Sequence, residues 1–196
     1  IMIGNRDKNT NDFSGNRILV GRDAYPIHIG YNAGPKDLSG NTIAIGREAG
    51  ANIQFANSIA IGRESGQNQG ARSIAIGQYS GFSIQYNDCI AIGVSAGVEN
   101  QGISPFGSTP LDRSIAIGYS AGNRNQAGYS IALGSRAAET NQDHASVAIG
   151  WNAGQFDQSN NSIAIGTYSG RENQKAGSIA IGTNAGKINQ GENSIA

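Results

Sequence analysis

The 196-residue sequence has little of what most globular proteins use, with one cysteine, one methionine, four prolines and four leucines. A single cysteine excludes an internal disulfide framework and a cysteine-rich metal site. Charged residues make up only 14%, with 14 basic and 14 acidic side chains, so there is no net positive surface for nucleic acid or an anionic membrane. No run of about 18 apolar residues exists, which excludes a membrane-spanning helix.

Glycine, isoleucine and asparagine are abundant instead, at 29, 26 and 21 residues, and these are not the residues that fill helix interiors. The string Ser-Ile-Ala-Ile-Gly, or a near copy, returns along the whole chain. Eight of the twelve intervals between copies are 16 residues long, which predicts a solenoid of about twelve coils. The first apolar residues of the copies are Ile1, Ile18, Ile27, Ile43, Ile59, Ile74, Ile90, Ile115, Ile131, Val147, Ile163, Ile179 and Ile195.

Aligning the copies on their glycine reveals a short β-strand in each coil. Isoleucine stands one and three residues before the glycine, so the two side chains share one face of a strand. We expect these isoleucines to stack into ladders that form the core. Alanine lies between them and serine precedes them, so a small, flat Ser-x-Ala face lies opposite.

A second glycine follows the first after four residues in most coils, as in Gly46 and Gly50, and indicates a turn. Glutamine follows eight residues after the first glycine. This column predicts a second short strand and a ladder of glutamines hydrogen-bonded along the stack. Its members are Gln54, Gln69 (seven residues after its glycine), Gln85, Gln101, Gln126, Gln142, Gln158, Gln174 and Gln190.

The motif Ser-Ile-Ala-Ile-Gly followed by Ala/Ser-Gly resembles the head repeat of YadA-like trimeric autotransporter adhesins. It is also similar to repeats in fibres of phages and large viruses. The resemblance extends from about Ile27 to Ala196 and implies a left-handed parallel β-roll, three chains side by side and a role in attachment. The 16-residue period and the glutamine column are not typical of the bacterial repeat, so a virion is as consistent with them as a bacterial cell surface. Either location is extracellular.

These patterns predict an all-β parallel β-solenoid in one repeat domain spanning residues 1–196. Residues 1–26 form irregular first coils, and residues 27–196 form regular repeats with a loop inserted at about 102–111. Because both ends of the sequence fall inside a repeat, we expect a segment of a longer protein.

Catalytic, cofactor-binding and metal-binding constellations are not indicated. His28 and His144 occupy unrelated places, and Cys89 stands in the serine column as a small structural residue. The stretch 182–188 superficially resembles a phosphate-binding loop, but its glycine spacing is one residue short and recurs in nearly every coil.

The candidate ligand contacts are residues that depart from the repeat. Aromatic side chains directly after the first glycine, or one residue later, would line one edge of the solenoid and could stack on sugars or a receptor. The alternative is that they fill a groove between chains. The candidates are Tyr31, Tyr79, Tyr119, Trp151 and Tyr168, with Pro105 and Phe106 in the inserted loop.

The predicted function is a non-catalytic structural or adhesive fibre segment that presents a binding surface to a host or cell. The flat Ser-x-Ala face predicts a homotrimer, and a surface glycan or a protein receptor is the expected partner. A purely structural shaft and an ice-binding solenoid are the alternatives. A polysaccharide lyase would need carboxylates or basic residues clustered along a groove, which the columns do not supply.

Overall fold

The computed structural model describes residues 2–4, 16–20, 26–35, 40–102 and 112–196, the first two segments by their backbone alone. These residues form strands and turns, and no helix is found among them. The strands are β1 Met2–Gly4, β2 Asn16–Val20, β3 Ile27–Tyr31, β4 Ile43–Ile45, β5 Ile53–Gln54, β6 Ile59–Ile61, β7 Asn68–Gln69, β8 Ile74–Ile76, β9 Ile90–Ile92, β10 Ile115–Ile117, β11 Arg124–Gln126, β12 Ile131–Leu133, β13 Thr140–Gln142, β14 Val147–Ile149, β15 Phe156–Gln158, β16 Ile163–Ile165, β17 Glu172–Gln174 and β18 Ile179–Ile181.

One long sheet carries the Ile-Ala-Ile motifs. Its order is β1-β2-β3-β4-β6-β8-β9-β10-β12-β14-β16-β18, and the strands from β3 onward are parallel. They pair in register, so that Ala148 lies beside Ala164 and Ile149 beside Ile165. The predicted parallel β-solenoid is confirmed, with ten stacked strands in the described residues and therefore about nine turns.

The first two strands account for the difference from the predicted twelve coils. Strand β2 pairs antiparallel with both β1 and β3, with Ile18 opposite Ile29. Only residues 21–26 connect β2 to β3, which is too short for the crossover that a parallel neighbour requires. The N-terminal copies of the motif therefore extend the sheet as antiparallel strands and do not form coils.

A second set of strands runs along the other side of the solenoid, at the glutamine column. Strands β11, β13, β15 and β17 form one parallel sheet, and β5 and β7 form another. Between these sheets, Gln85 bridges to Gln69 and to Gln101. The predicted second strand of each coil is confirmed.

The alanines at the centres of the parallel strands are completely buried, whereas the isoleucines beside them lie outside. Ala44 and Ala148 are 0% exposed, while Ile181 is 59% exposed. The prediction of an isoleucine core with alanine on the opposite face is therefore wrong. The interior is too narrow, because a β-carbon placed on Gly154 would lie 3.2 Å from the β-carbon of Ala148 in the same coil. Alanine fits there and a branched side chain does not.

Glutamine side chains fill the rest of the interior and close each coil. The Nε2 of Gln142 donates to the carbonyl oxygen of Ile131 at 2.9 Å and to the Oε1 of Gln158 at 3.1 Å. This confirms the predicted ladder, which is broken where the Oε1 atoms of Gln85 and Gln126 have no donor among the described residues. Both breaks follow a departure from the 16-residue period, an interval of 15 before the first and of 25 before the second.

The two glycines of each coil have different structural reasons. Gly150 has φ +127°, and a β-carbon there would lie 2.8 Å from the carbonyl oxygen of Gly166 in the next coil. Gly154 has φ +51°, and a β-carbon there would lie 2.6 Å from the Oε1 of Gln158. The first glycine therefore permits the close stacking of coils, and the second leaves room for the glutamine.

The glycine column gives a first prediction, in which stacking and backbone strain are separated. We expect Gly150→Ala to lower the free energy of unfolding by at least about 3 kcal/mol, because backbone strain and a clash with the next coil add. Gly182 has φ +122° in the last coil, with only the β-carbon of Ala185 nearby, at 4.0 Å. Gly182→Ala should therefore cost only about 1–3 kcal/mol.

Gly191→Ala is the matched control, since no atom lies within 4 Å of a β-carbon there, and should change stability by less than about 0.5 kcal/mol. Urea unfolding followed by circular dichroism, at one protein concentration, measures all three variants. Equal losses for Gly150→Ala and Gly182→Ala would contradict close coil stacking as the constraint.

The glutamine ladder gives a second prediction. Gln142→Met keeps a similar volume but removes the donor to Ile131 and the acceptor that Gln126 uses at 3.0 Å. Each buried polar group left unpaired costs about 1–3 kcal/mol, so a loss in that range or above is expected in urea unfolding. The control is Gln78→Met, at a partly exposed turn position. A Gln142→Met protein as stable as the control would show that the ladder is dispensable.

Candidate functional site

An exposed aliphatic surface runs along the whole parallel stack. Each of the ten parallel strands of the described chain turns two aliphatic side chains outward, which makes twenty in two columns. We call these two columns the isoleucine face. Most members are partly exposed, and Ile29, Leu133 and Ile181 reach 37%, 41% and 59% exposure.

A shallow groove borders this face near its N-terminal end. It has a volume of about 390 Å³ and is lined by Ile27, Ile43 and Ile59 together with Asn41 and Asn57. Apolar side chains form one wall and amides the other. This shape suits the insertion of side chains from another protein chain.

Aromatic side chains occupy the turn edge next to the first glycine of several coils. Tyr119 is 52% exposed and Trp151 is 51% exposed. The ring of Tyr168 packs beside Trp151, with ring centroids 4.9 Å apart at a tilt of 50°. The structure thus brings Trp151 and Tyr168 together, as two of the residues that the sequence singled out.

Basic side chains alternate with these rings. The guanidinium of Arg136 lies 6.0 Å from the ring centroid of Tyr119, and the Nζ of Lys187 lies 5.2 Å from that of Tyr168. Arg171 also lies near Tyr168, at 5.5 Å, but it pairs with Glu172 at 3.3 Å. Sequence reasoning missed these cations, although their positions in the turn columns could have indicated them. We call Tyr119, Arg136, Trp151, Tyr168 and Lys187 the aromatic edge.

The remaining aromatic candidates lie apart from this group. Tyr31 is 47% exposed in the first coil. The ring of Tyr79 packs edge-on against Phe82 at 5.6 Å, and its hydroxyl accepts a hydrogen bond from Arg63 at 2.6 Å. The other two candidates, Pro105 and Phe106, lie outside the described residues.

An exposed amide ladder follows the second strands. Asn125 donates to Asn141 at 3.0 Å, and Asn141 donates to Asp157 at 2.8 Å. These residues have φ near +55°, a conformation that asparagine and aspartate tolerate better than most. Elsewhere on the surface Arg72 donates to Asp88 at 2.6 Å, and this hydrogen bond lowers the pKa of Asp88. Such ladders tie neighbouring coils together along the rod.

The buried nucleophilic and titratable groups have structural surroundings. His28 replaces alanine in the first coil, where it is completely buried and lies 3.1 Å from the Oγ1 of Thr42. Cys89 replaces serine, and its sulfur accepts a hydrogen bond from the hydroxyl of Ser114 at 3.4 Å. Burial raises the pKa of the Cys89 thiol. Within the described ranges, no three His, Cys, Asp or Glu residues are grouped so as to hold a metal ion.

The described part of the chain contains no helix with the length and apolar character needed to cross a membrane.

Comparison with known families identifies two copies of the YadA head domain repeat at residues 40–65. This confirms the resemblance to YadA-like head repeats for that part of the chain. The match indicates an adhesin-type surface fibre, a kind of protein that is trimeric, exposed at the cell surface and typically non-enzymatic. Neither the curated proteins nor the solved structures yield a match to the sequence.

The surroundings of Cys89 give a third prediction. Its raised pKa and its burial both lower the concentration of accessible thiolate, so Ellman's reagent should react at least about 100-fold more slowly with the folded protein than with the urea-unfolded chain. Ser135→Cys, which places a thiol at an exposed turn position, is the comparison and should react fast in the folded protein. Rapid reaction of Cys89 itself would show that the serine column is open to solvent.

Proposed function

We propose that the chain is a non-catalytic segment of a surface fibre in which three copies pack through their isoleucine faces. The observation that carries this proposal is the uninterrupted isoleucine face along ten strands. Monomeric soluble proteins rarely expose an apolar surface of this extent, and one that is exposed usually marks an interaction site.

A second and a third copy of the same chain are the occupants that fit this face. The face is straight and regular, and its coils repeat at about 4.8 Å, so only a partner with the same repeat would match it from end to end. The formal net charge of +0 also favours close packing of identical chains. The trimeric character of YadA-like heads supports three copies as the number.

The structural reason for the trimer differs from the one that the sequence indicated. The alanine column is buried inside each coil and cannot meet a partner. The same burial removes the flat Ser-x-Ala surface on which the ice-binding alternative depends, since Ser146 and Ala148 are both 0% exposed. The surface available for association is the isoleucine face.

Attachment is the finer part of the proposal. The regular columns serve folding and association, so we assign ligand contact to the side chains that depart from them. On this proposal the aromatic edge faces outward from the trimer and binds a surface glycan or a receptor, at a bacterial cell surface or on a virion. The described region forms one continuous repeat domain of the fibre, and without ligand contacts it would serve as a shaft.

The trimer gives a fourth prediction. Leu133→Glu combined with Ile181→Glu places two carboxylates on the isoleucine face at positions that already reach solvent, so each chain should still fold. Burying a carboxylate in an apolar interface is unfavourable by several kcal/mol, so association should be lost. Sedimentation equilibrium should give a mass three times 20.3 kDa for the unmodified protein and 20.3 kDa for the variant.

Ile53→Glu is the control, because Ile53 is 50% exposed on a second strand and lies off the isoleucine face. It should leave the trimer intact. A mass of 20.3 kDa for the unmodified protein at every concentration would overturn the proposal.

A further inference from the structure

We propose that the aromatic edge binds an acidic polysaccharide, meaning a linear glycan that carries carboxylate or sulfate groups. This inference rests on the proposed function, because it assigns a ligand class to the surface that the fibre presents. It follows from the order of the rings and cations along the stack and from the state of the charges around them.

The rings provide flat, accessible surfaces. Tyr119 and Trp151 each leave about half of their surface exposed, and they lie two coils apart, or about 9.6 Å at about 4.8 Å per coil. Tyr168 extends the surface by packing beside Trp151 at 4.9 Å. Exposed aromatic rings with a polar atom suit ligands that are apolar on one face and hydroxylated at the rim, as pyranose sugars are.

The cations are placed between and beyond the rings. Arg136 belongs to the coil between those of Tyr119 and Trp151, and Lys187 belongs to the coil after that of Tyr168. Neither cation has a carboxylate within ion-pair distance in the part of the chain that the structure describes. The planar guanidinium of Arg136 can bind a carboxylate or a sulfate through two N–H groups.

The same edge is electrically different in the earlier coils. There Arg47 pairs with Glu48 at 3.2 Å, and Arg63 lies 3.9 Å from Glu64. From Gly93 onward, the two positions after the first glycine contain no acidic residue in the described coils. The carboxylates of the neighbouring turn column are engaged, since Glu139 accepts a hydrogen bond from Gln155 at 2.6 Å. The aromatic edge is therefore the part of this surface where a cation can bind an external anion.

The shape of the surface favours a polymer. The edge is open and runs along the rod, so an extended glycan lying parallel to the stack would meet ring, cation, ring, ring and cation in turn. Each contact would be weak, but three chains per fibre would multiply them. The positive charges also predict that binding weakens as salt screens the interaction.

The test measures binding of the trimeric protein to immobilised heparin, hyaluronan and dextran by surface plasmon resonance at 50 and 150 mM NaCl. Heparin carries sulfates, hyaluronan carries carboxylates and dextran is neutral. We expect binding to one or both acidic polymers, with the stronger of the two identifying the preferred anion, and no binding to dextran. Arg136→Gln with Lys187→Gln, and separately Trp151→Ala, should weaken that binding at least tenfold.

Arg47→Gln is the matched control, since it removes an equal charge from the same edge where the cation is already paired with Glu48. It should change binding less than twofold. Absence of binding to both acidic polymers, equal binding to dextran, or an equal loss with Arg47→Gln would overturn the polysaccharide site. Sedimentation of each variant separates the two proposals, because an intact trimer without binding overturns the saccharide site alone. Loss of the trimer in Trp151→Ala would place the rings between chains and would also overturn the site.

Discussion

The narrow interior of each coil is the constraint on which the rest of the structure depends. It holds alanine from the strand, alanine or serine from the turn and one glutamine, whose amide closes its own coil and reaches the next. Gln158 shows both functions, donating to the carbonyl of Val147 at 2.8 Å and to Gln174 at 3.3 Å. A hydrogen-bonded amide therefore occupies the place of an aliphatic core, and its satisfaction matters because buried polar groups are costly when unpaired.

The outward isoleucines follow directly from this constraint. A strand alternates its side chains, so a strand that turns alanine inward must turn both of its isoleucines outward. The coil thus folds around polar and small side chains and leaves its apolar surface for another chain. In such a protein association buries the aliphatic surface that a globular domain would bury on folding.

Departures from the 16-residue period are found where the ladder is interrupted. The Oε1 of Gln85 lacks a donor after the 15-residue interval, and that of Gln126 lacks one after the 25-residue interval. The hydrogen bonds along the ladder require neighbouring amides to stay in register, and a coil of another length displaces one of them. The longest uninterrupted ladder, from Gln126 to Gln190, lies behind the coils that carry the aromatic edge. The candidate binding surface is thereby mounted on the most regular part of the rod.

The sequence by itself determined the repeat, its strands, the two glycine columns and the glutamine ladder, because each depends on spacing along the chain. It also indicated the aromatic residues, of which Trp151 and Tyr168 meet in space. Only the tertiary structure decided which side of the strand faces inward, since period-two alternation is the same for Ile-x-Ile inside or outside. The same holds for the antiparallel pairing of β2 and for the cations beside the rings. These depend on coil width and on contacts between residues 16 or more positions apart, which no local pattern contains.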